Sequence, residues 1–597
     1  MFRNLLMTLA IVMATCTLAI AQQGRLKGKI IDENGEAVPF TNVVLEKGGT
    51  LIGGAVSDFD GNYDINPIPP GTYDLKASFV GYNNYVLNGI VIPANKITDW
   101  NIKMQSGAIS LTEVTVIDYE VPLISKDNTT SGASITAEEI AKLPNRSASG
   151  VASTVGGVYS ADGEVGSIRG SREGAVTYID GVRVIGNSSV PQGAIDQVDV
   201  ILGGTPAMYG DAMGGIINVT TKGPSRTFGA GVELETSVEG YGRNRLGFSL
   251  QGPLIKGKNA ETALLGFFLA GDLAYNKVGA LSATGFYTAT DEWYKAISEN
   301  PLVPSGIGTG TYQKASFTKK DDLVYSKKST NTSNYSVNLS GNINVRTTET
   351  INLTIGGSYY RSMYHNFARS FSYFNTAKNS IEKDNTIRGY VRFTQRFPTA
   401  PESTSLIRNF YYSIQADYTR YNNEAGDPDL WDNVFAYGNL GRFTTYKMAT
   451  YERGDVDSVL MADGTYQNFT NVMVLNSWDY DTLVQFEASE FNPLLAKYTE
   501  NVYDLYGDLG PEGYYNNYTN LQLNGGLLNG RSAPSIYGLY AAPGTLMSNY
   551  SKYVSDQISL NVNASMTIGS GESSHEVKLG FQYEQRNTSG MSYSTDY

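Results

Sequence analysis

The sequence predicts a mainly β protein that contains, in order, a small β-sandwich, an α+β domain and a long series of antiparallel β-barrel strands. Residues 24–104 hold short β-branched runs that are separated by turn signals. Residues 121–224 combine such runs with glycine clusters and a helix signal. Residues 226–597 alternate apolar and polar side chains over longer segments, a pattern that is typical of amphipathic strands.

Composition limits the classes of function. The 597 residues carry a formal net charge of −13 and a sequence pI of about 4.9. This argues against a nucleic-acid partner, because nucleic-acid binding requires a basic surface. The chain has 42 Tyr against 22 Phe and 4 Trp, together with 64 Gly. That composition suits an all-β protein, although a large soluble β protein would share it.

Residues 1–21 have the pattern of a secretory signal peptide. Arg3 supplies a positive charge, residues 5–20 are apolar, and a small-x-small cleavage site ends at Ala21. The single cysteine, Cys16, lies inside this segment, so we expect the mature chain to form no disulfide. No later stretch is apolar over about eighteen consecutive residues, which argues against membrane-spanning helices but not against a membrane β-barrel.

Residues 24–104 are predicted to fold as a β-sandwich. Short apolar runs recur at close spacing, and three turn signals separate them: Asn34-Gly35, Asp60-Gly61 and Pro69-Pro70-Gly71. The stretch from Gly28 to Tyr82 resembles a carboxypeptidase-regulatory-like domain. The family name refers to an accessory module, so the resemblance implies no peptidase activity.

Residues 121–224 are predicted to form an α+β domain. Thr136 followed by Glu139 is a capping box that begins a short helix. Asp180-Gly181 lies between two β-branched runs, and both positions favour the positive φ of a tight hairpin turn. Three motifs in family order resemble the plug domain of TonB-dependent outer-membrane receptors: Ile168-Arg169-Gly170, Tyr178-Ile179-Asp180-Gly181-Val182, and Tyr209-Gly210 followed by Gly214-Gly215. The resemblance implies an importer whose barrel is blocked by an internal plug.

Residues 105–120 are expected to be a linker with a TonB box, the segment that such receptors present to their energy-coupling partner. The candidate is the stretch Ser110-Leu111-Thr112-Glu113-Val114-Thr115-Val116. An extended alternating segment can add as an edge strand to a partner's sheet, where backbone hydrogen bonds carry the pairing. An ordinary short strand or linker is the alternative interpretation.

Residues 226–597 are predicted to contribute nine antiparallel strands, namely 226–238, 244–252, 262–275, 332–345, 350–364, 385–397, 405–421, 554–568 and 575–590. The connections after the second, fourth, sixth and eighth strands are short. Those after the third, fifth and seventh are long, and only the first outer connection, 239–243, is short. Short turns on one side and long loops on the other are typical of an outer-membrane β-barrel, whereas the alternation alone would also fit a soluble sandwich.

The number of strands predicts an incomplete antiparallel transmembrane β-barrel. Bacterial single-chain barrels have an even number of strands, and a plugged lumen requires a wide cylinder. The resemblance implies about 22 strands, of which about nine are present. Because no closing strand is recognisable before Tyr597, we expect residues 226–597 to be the amino-terminal part of a longer barrel.

Two sets of candidate site residues follow. By resemblance, Arg169 forms a latch between the plug and the barrel wall, and Glu233 and Glu235 on the first barrel strand are its candidate partners. The alternative is a surface arginine with no partner. In the long loop 422–553, aromatic faces with amide neighbours suit sugars or peptides, or simply build a soluble lid; the candidates are Trp431, Trp478, Tyr514 and Tyr515.

Catalytic machinery is not expected. The two histidines, His365 and His575, are far apart in sequence, and no metal-ligand spacing, phosphate-binding loop or nucleophile elbow is present. We therefore expect no catalytic residues, no metal and no cofactor.

The resemblance implies a non-enzymatic receptor of the cell outer membrane that imports a glycan, a peptide or a metal chelate by energy-coupled movement of the plug. Its amino-terminal domain would lie in the periplasm. The implied partners are the TonB complex of the inner membrane, outer-membrane lipid and, as in some relatives, a surface lipoprotein lid. The alternatives are a surface β-sandwich adhesin or structural protein, a secreted enzyme and a signalling receptor. The sequence identifies neither the ligand nor the oligomeric state.

Overall fold

The computed structural model of the protein describes residues 23–47, 50–94, 96–105, 114–118, 130–161, 164–171, 175–186, 189–205, 209, 214–225, 227–256, 263–279, 281–307, 310–348, 350–397, 399, 405–444, 447–480, 485–506, 518–547, 549–569 and 575–594. The signal peptide predicted at residues 1–21 lies outside these ranges. No helix among the described residues is long and apolar enough to span a membrane.

The amino-terminal domain is a sandwich of two β-sheets, as predicted. Its strands are β1 (Gly24–Ile31), β2 (Asn42–Lys47), β3 (Thr50–Val56), β4 (Asn62–Ile68), β5 (Gly71–Ser78), β6 (Asn84–Ile92), β7 (Ile97–Asp99), β8 (Ile102–Lys103) and β9 (Val114–Asp118). One sheet has the order β4-β1-β7, with β8 also paired to β1, and the other has the order β3-β2-β5-β6-β9. Leu26, Leu45, Leu75 and Leu87 are fully buried between the sheets, where they form the core of this domain.

The central domain mixes strands with two short helices. Its elements are β10 (Ser131–Thr136), α1 (Ala137–Ala141), α2 (Ala148–Ala152), β11 (Val158–Ala161), β12 (Glu164–Ile168), β13 (Val176–Ile179), β14 (Val182–Arg183), β15 (Ile195–Gly203) and β16 (Ile216–Thr221). The main sheet has the order β10-β15-β16-β13-β14. The predicted capping box of Thr136 and Glu139 begins α1. The predicted hairpin turn is also confirmed, since Asp180 and Gly181 have φ values of 49° and 87°.

Nine strands in the described part of the chain form one antiparallel sheet, here called the barrel sheet, and confirm the nine predicted strands. They are β17 (Gly229–Thr236), β18 (Arg243–Lys256), β19 (Ala263–Asn276), β24 (Asn334–Arg346), β25 (Ile351–His365), β26 (Ile381–Phe397), β27 (Ile407–Gly426), β32 (Asn549–Ile568) and β33 (His575–Ser594). Each strand pairs with the next of these nine, so the sheet is a meander.

The long connections of the barrel sheet fold into a cap at one end. They contain β20 (Leu281–Ala289), α3 (Asp291–Glu299), β21 (Leu302–Pro304), β22 (Thr311–Gln313), β23 (Leu323–Lys328), β28 (Gly441–Thr444), β29 (Lys447–Leu460), β30 (Tyr466–Tyr480), β31 (Gln485–Ala488), α4 (Pro493–Tyr506) and α5 (Tyr518–Leu523). Ile297, Phe374 and Tyr498, one from each of the three connections, are buried in a shared cluster. The three long connections therefore pack against one another and do not extend as separate loops.

The two faces of the barrel sheet differ in polarity. On β27, Ser413, Gln415 and Asp417 are buried, whereas Ile414 and Tyr418 are 40% and 44% exposed. The same pattern recurs on other strands, with exposed side chains that include Leu269, Ile343, Ile355, Ile387, Val391, Ile558 and Phe581. A soluble sandwich buries its apolar face and exposes its polar face. The reversed arrangement fits a sheet that meets lipid on the outside and a polar lumen on the inside.

Candidate functional site

The concave face of the barrel sheet holds the Asp180-Gly181 hairpin of the central domain through two arginines. Arg388 Nη2 donates to the carbonyl oxygen of Ile179 at 3.0 Å, and Arg392 Nη2 donates to that of Asp180 at 2.6 Å. Both arginines lie on β26 at positions whose side chains point inward. The hairpin thus contacts the wall through backbone carbonyls.

Both arginines are oriented by the neighbouring strand β27. Arg388 Nε donates to Asp417 Oδ2 at 2.8 Å, and Arg392 Nε donates to Gln415 Oε1 at 2.6 Å. The side chains of Arg388 and Asp417 are only 7% and 0% exposed. A charge pair this well buried depends on both partners, since removal of either leaves the other desolvated without compensation.

The Asp180 carboxylate fastens the hairpin to its own domain. Its Oδ1 accepts from the backbone N–H of Thr221 at 2.9 Å, and its Oδ2 accepts from the Thr221 hydroxyl at 2.8 Å. Thr221 ends β16, which pairs with β13 in parallel. Asp180 therefore joins the turn to the central sheet through its carboxylate, while its backbone carbonyl accepts from the barrel wall.

A second contact joins the central domain to the first three barrel strands. Arg146, just before α2, forms an ion pair with Glu233 of β17. Arg245 of β18 binds both Glu233 at 3.2 Å and Asp272 of β19 at 2.6 Å. The other oxygen of Asp272 accepts from the backbone N–H of Gln192 at 2.7 Å. The result is a chain of charges that crosses from the central domain to three adjacent strands.

This arrangement differs from the latch expected from the sequence. Arg146, not Arg169, is the central-domain cation at Glu233. Arg169 is exposed on the turn after β12 with a φ of 50°, and its backbone N–H donates to Gly157. Glu235 lies 3.8 Å from both Arg243 and Arg245 of the neighbouring strand. The sequence offered no motif that would have identified Arg146.

Amide side chains supply further contacts across the interface. Asn338 donates to the Ser189 hydroxyl and Asn342 donates to the Lys222 carbonyl, both at 3.0 Å, and Gln557 donates to the Arg183 carbonyl at 3.1 Å. The buried side-chain oxygens of Asn338 and Asn342 have no hydrogen-bond partner among the described residues. Water can satisfy such groups, so this part of the interface is polar, whereas Phe268 and Ala270 of β19 are buried in the apolar core of the central domain.

The motif residues mainly build the core of the central domain. Ile168 is buried, and Tyr209 makes an edge contact with Tyr178 at a centroid distance of 4.9 Å. Gly215 has a φ of 95°, and a Cβ there would lie 2.8 Å from Ile168 Cδ1. Gly170 also has a positive φ, and Gly214 lies at the bend before β16. Gly210 is outside the described residues.

The candidate TonB box lies partly within the described chain. Val114, Thr115 and Val116 belong to β9, which pairs in parallel with β6 at the edge of the sandwich. Val114 lies opposite Asn84 and Val116 lies opposite Val86. The preceding residues of the candidate box, Ser110 to Glu113, are outside the described ranges. The described part of the candidate TonB box, Val114 to Val116, therefore already forms an edge strand of the sandwich.

The aromatic ligand candidates occupy different environments. Trp431 packs inside the cap, with Lys383 Nζ 3.4 Å from its ring centroid and Tyr550 in edge contact at 6.0 Å. Trp478 is 52% exposed on the β29–β30 hairpin. Tyr514 and Tyr515 lie outside the described residues. Of the four, Trp478 is the side chain that the structure shows available to a ligand.

One carboxyl inside the central domain has a perturbed pKa. Burial raises the pKa of Asp199 on β15, while hydrogen bonds from Ser134 at 2.5 Å and Gln197 at 2.8 Å oppose that rise. Among all the described residues, no cluster of three or more His, Cys, Asp or Glu side chains could hold a metal ion.

Comparisons with known proteins match the first two domains. The model of the carboxypeptidase regulatory-like domain matches residues 25–105, and the model of the TonB-dependent receptor plug domain matches residues 125–216. The TonB-dependent transporter Oar of Myxococcus xanthus is 26% identical over 40% of this chain and 24% of its own length. The TonB-dependent receptor P39 of Formosa agariphila is 30% identical over 34% of this chain and 20% of its own length.

A third relative is the TonB-dependent receptor SusC of Bacteroides thetaiotaomicron, which is 28% identical over 40% of this chain and 26% of its own length. The matched part of the chain thus spans about a quarter of these relatives. Among solved structures, the ferripyoverdine receptor of Pseudomonas aeruginosa is 12% identical, with 80% of this chain and 57% of that chain covered and a TM-score of 0.35. The chain thus carries a carboxypeptidase regulatory-like domain followed by a TonB-dependent receptor plug domain, and its curated relatives are TonB-dependent receptors and transporters.

Proposed function

We propose that the complete protein is an outer-membrane importer that takes up a glycan, a peptide or a metal chelate when force from the TonB complex moves its plug. The observation that carries this proposal is the reversed polarity of the barrel sheet, which buries Gln415 and Asp417 and exposes Ile414. An adhesin built from soluble sandwiches would expose the polar face instead. Lipid is therefore the proposed neighbour of the outer face.

The contacts of the plug domain support movement under force. The wall holds it through hydrogen bonds from Arg388, Arg392 and amide side chains, which water can replace, and through the packing of Phe268 and Ala270 against the plug core. The buried pair of Arg388 and Asp417 lies wholly within the wall, so its charges stay compensated when the hairpin leaves. The plug can thus leave the barrel while Arg388 and Asp417 remain paired with each other.

The proposed orientation places the short turns and the amino-terminal sandwich in the periplasm and the cap at the cell surface. Ligand would meet the cap first, where Trp478 offers an exposed aromatic face. A surface lipoprotein would seat on the same side, as a lid. The TonB box would be reached from the periplasm, between sandwich and plug.

The coupling role is tested by removing residues 110–116 from the complete protein. Growth of a strain that depends on this receptor would be screened on ferric siderophores, oligosaccharides and peptides, and binding of the active compound would be measured on purified protein. We expect the deletion to abolish uptake and to leave binding intact. Replacing residues 110–116 with seven Gly/Ser residues is the control for linker length, and it should abolish uptake in the same way. Undiminished uptake without the box would contradict the proposal.

A further inference from the structure

The amino-terminal sandwich contacts both the plug domain and the barrel sheet. Lys47, at the end of β2, forms an ion pair with Asp196 of the plug strand β15. Arg346 of β24 donates to the carbonyl of Leu51 at 3.1 Å, and Arg396 of β26 donates to the carbonyl of Ile52 at 3.0 Å. The end of β2 and the beginning of β3 are therefore held from two sides.

The sandwich and the plug have complementary charges at this contact. Asp196 is only 5% exposed, and the Lys47 ammonium also lies 5.5 Å from the Tyr73 ring centroid. A Cβ on Gly71, the first residue of β5, would lie 2.8 Å from Asp196 Oδ2, so the β5 backbone closely approaches the Asp196 carboxylate. Lys96 of the sandwich is half-buried, which lowers its pKa, while the Asp199 carboxylate of the plug attracts its charge. Lys47 thus pairs directly with one plug carboxylate, and a second carboxylate attracts Lys96.

The contact lies at the short-turn end of the barrel sheet. Arg346 is the last residue of β24, and Arg396 is the next-to-last residue of β26. A cavity of about 1000 Å³ lies between sandwich, plug and wall. Its lining includes Lys47, Tyr73, Asp196, Lys222, Arg396 and Gln415. The sandwich therefore covers this cavity on the side that faces the periplasm in the proposed orientation.

We propose that the sandwich is a periplasmic clamp, which holds the plug in place and closes the cavity beneath it until the sandwich detaches. The clamp consists of Lys47, the carbonyls of Leu51 and Ile52, and their partners Asp196, Arg346 and Arg396. These are a few polar contacts that water can replace, so the sandwich separates as a folded unit. Because β9 belongs to the sandwich, force on the box acts on the clamp before it reaches the plug.

The position of the sandwich can be measured without any ligand. Spin labels at Asp60→Cys in the sandwich and Lys256→Cys at the end of β18 report its distance from the wall in the purified complete protein. We expect one narrow distance distribution. Lys47→Glu should broaden it and shift the ratio of docked to free sandwich about tenfold towards the free form, as loss of ~1.4 kcal/mol does. Adding Asp196→Lys should restore the narrow distribution.

Lys76→Glu is the matched control, because it makes the same charge change on the sandwich and breaks only the internal pair with Glu46. It should leave the distribution narrow. Lys47→Gln with Arg396→Gln is a second, milder variant that should also broaden it. A broad distribution in the parent, or a narrow one in Lys47→Glu, would overturn the clamp.

Closure of the cavity is measured by the rate at which a bulky maleimide labels Asn352→Cys, a residue of the cavity lining. The rate should rise about tenfold in Lys47→Glu, in proportion to the free form, and should not change in Lys76→Glu. Equal rates in all variants would contradict closure. The clamp rests on the proposed orientation, but these distances and rates do not depend on transport. If the receptor fails to import any ligand while its sandwich stays docked, the proposed transport function is refuted and the clamp is not.

Discussion

At the scale of single residues, burial decides how much each ion pair at the boundary between plug and wall contributes. The side chains of Arg388 and Asp417 are 7% and 0% exposed, whereas those of Arg146 and Glu233 are 26% and 43% exposed. Removing one partner of a buried pair typically costs about 3–5 kcal/mol, and an exposed pair contributes at most about 1 kcal/mol. The ion pair of Arg146 and Glu233 therefore contributes less than the buried pair of Arg388 and Asp417.

We predict that Arg388→Ala destabilises the seated plug by about 3–5 kcal/mol, because Asp417 is left buried without a cation and the Ile179 carbonyl loses a donor. Arg146→Ala should cost at most about 1 kcal/mol. Hydrogen exchange of the plug amides in the complete protein measures both. Equal losses of protection in the two variants would contradict this ranking.

Gly215→Ala should destabilise the plug more than Gly170→Ala. Both positions have positive φ, which costs a residue with a Cβ about 1–2 kcal/mol. Only at Gly215 would the new Cβ also meet Ile168 Cδ1 and the Ile201 carbonyl, each at 2.8 Å, whereas nothing lies within 4 Å at Gly170. Overpacking adds roughly 1–3 kcal/mol. The difference between their thermal unfolding midpoints measures this addition, and identical midpoints would refute it.

Asp199 should make plug stability depend on pH. Burial raises its pKa, so the folded plug retains a proton that the unfolded chain releases above the ordinary value of 3.8. The plug therefore loses stability as pH rises from that value through the raised pKa of Asp199, and stays lower above it. Hydrogen exchange across this window should show the loss in the parent protein. Asp199→Asn, which still accepts from Ser134 and Gln197, should flatten the curve; an unchanged curve would contradict this assignment.

Local chemistry made some of these residues predictable. The Asp180-Gly181 turn follows from the φ preferences of two adjacent residues, and the helix start at Thr136 follows from its capping box. Arg146 was missed because its partner Glu233 lies 87 positions away and no motif marks it. Pairings of this kind depend on which wall faces which plug surface, and a single sequence does not encode that in a local pattern.

At the scale of elements, the edge strand β9 offers one side for pairing. Among the described strands β9 pairs with β6 alone, so a coupling partner can bind the box by strand addition along the other side of β9. We predict that the periplasmic domain of TonB, added to the complete protein, raises hydrogen-exchange protection in β9 and leaves it unchanged in β6. Strand β2, which pairs with β3 and β5 on its two sides, is the internal control. Unchanged protection of β9 in the complex would refute strand addition.

Element prediction succeeded where periodicity and turn lengths were clear. All nine barrel strands were found because each alternates over many residues and most turns on one side are short. Strand β3 contains Gly53-Gly54, a pair that weakens any strand signal in the sequence; a Cβ on Gly53 would lie only 3.0 Å from Ile65, so close sheet packing accounts for a small residue. The helix α4 was not predicted, although Asn492 and Pro493 mark its start: Asn492 Oδ1 accepts from the backbone N–H of Leu495 at 3.2 Å.

At the scale of the whole molecule, the sequence left open which face of the barrel sheet is inside. Alternation places Ile414 and Gln415 on opposite faces but does not say which face meets the plug. The structure resolves this through Asn342, Arg392 and Gln557, whose side chains all reach plug carbonyls. The polar face is therefore internal, and the apolar face is the outer one.

A charge on the outer face should be costly. We predict that Ile355→Arg destabilises the complete barrel by up to about 2–4 kcal/mol, the cost of arginine on a lipid-facing strand near the membrane midplane. Met473→Arg, on the exposed β29–β30 hairpin of the cap, should be close to neutral. Folding into lipid vesicles from urea measures both variants. A neutral Ile355→Arg would argue against contact with lipid.

The most direct test of the central claim is the accessibility of spin labels on the barrel sheet of the complete protein in lipid bilayers. Labels would replace Ile343, Ile355, Ile414 and Ile558 on the exposed face, with Met473 of the cap as the aqueous reference. The lipid-facing account predicts that oxygen dissolved in the bilayer relaxes the four sheet labels strongly and that a water-soluble nickel complex relaxes only the reference. Strong relaxation of the sheet labels by the nickel complex would show that this face meets water, and would contradict the account.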